Sequence, residues 1–74
     1  MVIMTENLEG KTFKLIPPES GYDKTFKHKI ERLGLFMGST IEVFVDSGDK
    51  LLLKCNDFKV GIDKEAVIPF LQEI

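Results

Sequence analysis

The stretch Ile41-Glu42-Val43-Phe44-Val45-Asp46-Ser47-Gly48-Asp49-Lys50-Leu51-Leu52-Leu53-Lys54-Cys55-Asn56-Asp57-Phe58-Lys59-Val60-Gly61-Ile62 decides the fold. Its alternation fixes which side chains share a face, since successive residues of a strand point to opposite sides. Ile41, Val43 and Val45 alternate with Glu42, Phe44 and Asp46; Leu51, Leu53 and Cys55 alternate with Lys50, Leu52 and Lys54. A two-residue turn at Ser47-Gly48 sets Val43 against Leu52 and mixes the faces. A three-residue loop, Ser47-Gly48-Asp49, instead pairs Val45 with Leu51, Val43 with Leu53 and Ile41 with Cys55. It also sets Asp46 against Lys50 and Glu42 against Lys54, two opposite-charge pairs. Gly48 and Asp49 tolerate the left-handed backbone that such a loop uses. At Asn56-Asp57 a two-residue turn brings Cys55 to Phe58, Leu53 to Val60 and Leu51 to Ile62. The expectation is a three-stranded meander with nine apolar residues on one face: Ile41, Val43, Val45, Leu51, Leu53, Cys55, Phe58, Val60 and Ile62.

Upstream, Asn7-Leu8-Glu9-Gly10 reads as a turn into a short strand, Lys11–Ile16, with Phe13 and Leu15 on one face. Pro17-Pro18 ends that strand, because proline has no N–H for a ladder, and residues 17–22 read as loop. Asp23 is placed to cap a helix whose stripe is Phe26, Ile30 and Leu33, with Lys24, Lys27, His28 and Glu31 opposite. Gly34 follows as the left-handed terminator and Leu35 as its apolar partner. Downstream, Asp63 caps a short turn over Lys64–Val67. Pro69 then predicts an extended edge segment, Phe70–Ile74, beside the first strand.

Composition sets the class. Seventy-four residues make one small domain, 1–74, and exclude dinucleotide-binding folds and two-domain enzymes. Ten basic against twelve acidic side chains give a net charge of −2, a handicap for nucleic-acid binding. One cysteine, Cys55, allows no internal disulfide, which fits a reducing cytosol. No apolar run is long enough to span a bilayer, and Met1-Val2-Ile3-Met4 lacks the flank and length of a leader. The expected location is the cytoplasm.

Few residues offer chemistry. A metal site needs three or four converging ligands, yet His28 falls on the polar helix face and Cys55 on the sheet's inner face. Neither a metal ion nor another cofactor is expected. Nucleophilic catalysis needs a nucleophile, a base and an orienting group within reach, so no enzyme is expected either. Gly10-Lys11-Thr12 imitates the tail of a phosphate-binding loop, but Thr5 stands where the first glycine belongs and a strand follows instead of a helix. Lys24, Lys27, Lys29 and Arg32 form a basic cluster around Phe26; with Phe26 buried they read as a solvated helix face. On the sheet's outer face Phe44 is predicted opposite Leu52, and Leu52 opposite Gly61, an apolar pair beside a residue that lets another backbone approach. Phe36 and Met37, after the helix, extend this candidate partner-binding surface.

The segment Ile30-Glu31-Arg32-Leu33-Gly34-Leu35-Phe36-Met37-Gly38-Ser39-Thr40-Ile41-Glu42-Val43 resembles the signature of FeoA domains: a helix end, Leu-Gly-Leu, a second glycine, then a strand. Leu51-Leu52-Leu53-Lys54, Phe58-Lys59-Val60-Gly61-Ile62 and Lys64-Glu65-Ala66 are similar to the closing hairpin region of that family. Asn7-Leu8-Glu9-Gly10-Lys11 is similar to its opening turn. The resemblance implies an SH3-like small β-barrel with one short helix between the first strand and the meander. It also implies an accessory of bacterial ferrous-iron uptake, acting on the FeoB-type membrane transporter with its cytosolic GTP-binding domain, and reaching the membrane only through that partner. Two other readings stay open: a small nucleic-acid-binding barrel using Lys24 and Lys27, and a metal-responsive module in which His28 and carboxylates hold a divalent ion across a dimer.

Overall fold

Three antiparallel strands joined by tight turns make up one side of the sheet in the computed structural model, which describes residues 3–19 and 21–74. Met1 and Val2 of the segment read against a leader, and Ser20 of the predicted loop, lie outside the described residues. The elements in chain order are β1 (Thr12–Leu15), α1 (Lys24–Arg32), β2 (Thr40–Asp46), β3 (Lys50–Cys55), β4 (Phe58–Asp63), α2 (Lys64–Val67), a 3-10 turn (Ile68–Phe70) and β5 (Leu71–Glu73). The five strands make one antiparallel sheet in the order β4-β3-β2-β1-β5. The protein is therefore mostly β, consistent with the expected SH3-like small barrel. Among the described residues the sheet stays open, with β4 and β5 at its edges.

The helix begins and ends as its sequence requires. Asp23 Oδ1 accepts hydrogen bonds from the backbone N–H groups of Thr25 at 2.8 Å and Phe26 at 3.3 Å, two donors a helix start leaves free. At the other end the Leu35 N–H reaches the Ile30 carbonyl at 3.0 Å and the Gly34 N–H reaches Glu31 at 3.1 Å. This pair of bonds, with Gly34 at φ +97° and Leu35 buried beside Ile30, is a Schellman ending. Leu33 departs from the expected stripe and is 43% exposed. It stands after the last helical turn, at the cap position, and the reversal through Gly34 delivers Leu35 to the core in its place.

The β3–β4 register follows the expectation throughout, with Cys55 opposite Phe58, Leu53 opposite Val60, Leu52 opposite Gly61 and Leu51 opposite Ile62. In the Asn56-Asp57 turn only Asn56 takes a positive φ, +54°. β5 lies beside β1, Leu71 opposite Leu15, as expected, but it is shorter than the predicted Phe70–Ile74 segment, because Phe70 closes the 3-10 turn. The sheet's inner face, α1 and α2 enclose one core that includes Phe13, Leu15, Ile30, Val43, Leu53, Val67 and Phe70. Leu8, assigned only to a turn from sequence, is fully buried in that core as well.

The β2–β3 pairing corrects the predicted register. Glu42 faces Lys54 and Val43 faces Leu53 as expected, but a bulge follows, and Val45 then faces Leu52 while Asp46 faces Leu51. The extra residue is Phe44, and beyond it the parity of the strand is inverted. Val45, expected inward, is 40% exposed; Asp46, expected outward against Lys50, turns inward with its side chain only 2% exposed. Lys50 pairs instead with Asp63 across β3–β4 at 3.2 Å. Asp63 therefore precedes α2 without capping it through its side chain.

A buried carboxylate is tolerated only when it is paired and hydrogen-bonded. Asp46 Oδ2 accepts from Lys64 Nζ at 2.7 Å and from the Leu8 N–H at 2.8 Å, while Oδ1 accepts from the Gly48 N–H at 2.9 Å. Lys64, itself 2% exposed, also donates to the Glu6 carbonyl at 2.7 Å. One carboxylate thus ties together the N-terminal turn, the β2–β3 loop and α2. Burial pushes the Asp46 pKa up, but the hydrogen bonds from Lys64, Leu8 and Gly48 and the lysine's charge outweigh it and hold the carboxyl below its ordinary value. Replacing Lys64 by Met leaves that carboxylate buried without its cation, and urea unfolding should show a loss of about 3–5 kcal/mol. A loss no larger than that of an exposed lysine would mean that the pair does not bind these segments together.

Candidate functional site

Because Phe44 is the bulged residue, it does not sit opposite Leu52 as predicted; Val45 takes that place. Phe44 and Val45 both end up exposed, at 45% and 40%, next to the half-buried Leu52, which in turn faces Gly61. The outer face therefore carries an apolar stripe running across β2, β3 and β4. A Cβ added at Gly61 would meet no atom within 4 Å, so the β4 end of the stripe is open space.

Charged rows border the stripe on both sides. On one side Glu42, Lys54 and Lys59 succeed one another across β2, β3 and β4; on the other Lys50 faces Asp63. Lys54 and Lys59 are directly opposite, an unfavourable neighbour for each. Lys59 escapes by lying over the Phe44 ring, with Nζ 4.0 Å from the centroid. An aromatic ring under an ammonium group, beside aliphatic side chains and a glycine, makes a surface of mixed apolar and cationic character.

The other expected members lie elsewhere. Phe36 is 58% exposed, but it belongs to the turn before β2, where the Ser39 N–H bonds its carbonyl. From the start of β2 to Phe44 is four residues, or roughly 13 Å of strand. Met37 is half-buried against the core. Phe36 and Met37 therefore form the end of the molecule where Gly38 and Ser39 bond Leu15, and do not extend the stripe. Val45 and Lys59 belong to it and were missed. A hydrophobic residue preceding Asp46 was the available signal for Val45, but its meaning depends on the bulge.

The potential metal ligands stand apart. His28 is exposed on α1 with Nδ1 3.8 Å from Glu31, whereas Cys55 is a buried thiol at the end of β3. Among the described residues no three side chains of His, Cys, Asp or Glu gather in a manner suited to a metal ion. In the basic cluster Lys27 is engaged with Glu31 at 3.4 Å, and Phe26 packs on Phe70 with centroids 5.8 Å apart. Among the described residues no helix is long and apolar enough to cross a membrane. Compared with protein-family models and with curated proteins, the sequence finds no match in either.

The contact between Lys59 and Phe44 can be weighed directly. A double-mutant cycle on Phe44→Leu and Lys59→Met, read by urea unfolding, should give a coupling energy of about 0.5–1 kcal/mol. Strictly additive effects would show that the ammonium group merely passes near the ring.

Proposed function

We propose that this protein is a small cytoplasmic, non-enzymatic accessory of bacterial ferrous-iron uptake, working by contact with the cytosolic GTP-binding domain of a FeoB-type transporter. The FeoA-like segments of the sequence supply the family side of this reading. The Leu33-Gly34-Leu35 part of that signature has a defined physical task, the Schellman ending of α1, and the strand after Gly38 is central in the sheet. Analogy of fold alone would not reach a function. What carries contact as the mechanism is the apolar stripe of Phe44, Val45, Leu52 and Gly61, bordered by charges and left uncovered on the outer face of the sheet.

Such a protein acts by binding one state of its partner better than another, and so shifts the partner's equilibrium. Its side chains need only present a stable surface. The charged rows orient the encounter, and the stripe provides the desolvated centre that carries most of the affinity.

A pull-down or titration with the transporter's cytosolic domain, with and without guanine nucleotide, tests the proposal. Phe44→Ala and Leu52→Ala should keep the circular dichroism of the parent yet weaken binding about tenfold, the scale of a central contact residue. Gly61→Tyr should fold normally, because the added side chain has open space, and should block the same contact by bulk. Absence of binding in every nucleotide condition, or equal binding by all three folded variants, would overturn the assignment.

A further inference from the structure

A second surface lies between the start of α1 and α2, made from elements that contribute little to the stripe. It is an open groove of about 660 Å³, within the size range of ligand sites. Its floor is aromatic. Tyr22 meets Phe70 edge-on with centroids 5.6 Å apart, and Phe26 lies 5.8 Å from the same ring. Phe70 is buried, while Tyr22 and Phe26 are only half-buried and leave part of their rings facing the groove.

The rim has a single sign. Asp23, Asp49, Asp63 and Glu65 line the groove, and among the described residues no lysine, arginine or histidine does. Asp23 is engaged by the helix start, and Asp63 is paired with Lys50 at 3.2 Å, so the uncompensated charge of the rim rests on Asp49 and Glu65. The Asp49 and Glu65 side chains have no hydrogen bond or ion pair among the described residues. Lys64, which lies between Asp63 and Glu65 in sequence, is turned inward onto Asp46. The ion pair that anchors α2 thereby keeps the Lys64 ammonium off this rim and leaves Lys50, on Asp63, as the cation beside it.

We infer that the groove docks a cationic segment of a partner protein, one in which arginine or lysine alternates with an apolar side chain. The apolar group has the Tyr22 and Phe26 rings to cover, and the cation has Asp49 and Glu65 within the same groove. Arginine and lysine satisfy both at once, because their aliphatic stems lie on aromatic surface while their charged ends reach carboxylates. Nucleic acids and acidic peptides are repelled by the same rim. This docking does not depend on the transporter reading, since it uses different residues and a different test.

Tyr22 is the only tyrosine in a chain without tryptophan, so intrinsic fluorescence reports on the groove itself. The probe is a short acetylated and amidated peptide alternating arginine and leucine, without aromatic residues; its control carries glutamate for arginine. Titration of the full chain should change Tyr22 emission saturably with the arginine peptide, less so as salt is raised, and leave it unchanged with the control. The double variant Asp49→Asn, Glu65→Gln alters exposed side chains and should fold as the parent, with affinity lowered about tenfold, a loss of about 1.4 kcal/mol. The inference is overturned by an absent response to the arginine peptide, by equal responses to both peptides, or by unchanged affinity in the double variant. It is overturned too if Tyr22 emission changes with protein concentration alone, which would make a second copy of this chain the occupant.

Discussion

A carboxylate and an ammonium group buried side by side are costly unless every remaining polar contact is met, and in this small protein the Asp46–Lys64 pair meets that condition. Asp46 receives three donors and Lys64 reaches a main-chain carbonyl besides. The partners come from parts of the chain far apart in sequence: the turn before β1, the end of β2 and the first residue of α2. Apolar packing is less directional and tolerates small adjustments of one segment on another. A charge pair with fixed directions does not, so it selects one arrangement of these three segments.

The bulge at Phe44 makes that arrangement possible. A regular β2 would hold Asp46 on the outer face and Val45 on the inner one. With one extra residue, Asp46 swings inward beside Leu51, while Phe44 and Val45 are displayed together outside. Lys64, drawn in by Asp46, leaves Asp63 and Glu65 without the cation that lies between them in sequence. One local irregularity thus connects the core pair, the apolar stripe of the outer sheet and the acidic rim of the aromatic groove. Part of each candidate surface thus follows from how a single buried charge is satisfied.

Much of this architecture is legible in the sequence wherever a local rule suffices. Asp23 caps the helix because its carboxylate is the right length for the free N–H groups. Gly34 ends the helix because a Cβ there would be strained at its φ and would press to within 2.9 Å of the Phe58 ring. The β3–β4 register follows from alternation alone, and it correctly places Leu52 opposite Gly61. Alternation fails at Val45 because a bulge leaves no mark in a hydrophobic pattern. Its energetic reason, the pairing of Asp46 with Lys64, lies eighteen residues away. Lys64 itself reads as a surface residue of a short helix until its partner is known. Leu33 fits the helical period but falls after the helix has ended, and Phe36 shares the composition of the stripe without its location. The inverted parity of Val45 and the burial of Lys64 were decided by a contact between distant segments, whereas Leu33 was decided locally, by where the helix stops.

The most direct measurement of the central interaction is an NMR titration of the Asp46 side-chain carboxyl carbon. A group whose pKa is lowered on folding contributes stability that is complete above its unfolded value, about 3.9, and is lost as pH falls through the lower folded value. Asp46 should titrate below the range of ordinary aspartates while the fold is intact, or stay ionised until the folded spectrum disappears. A midpoint at or above about 3.9, with the fold still intact, would contradict this.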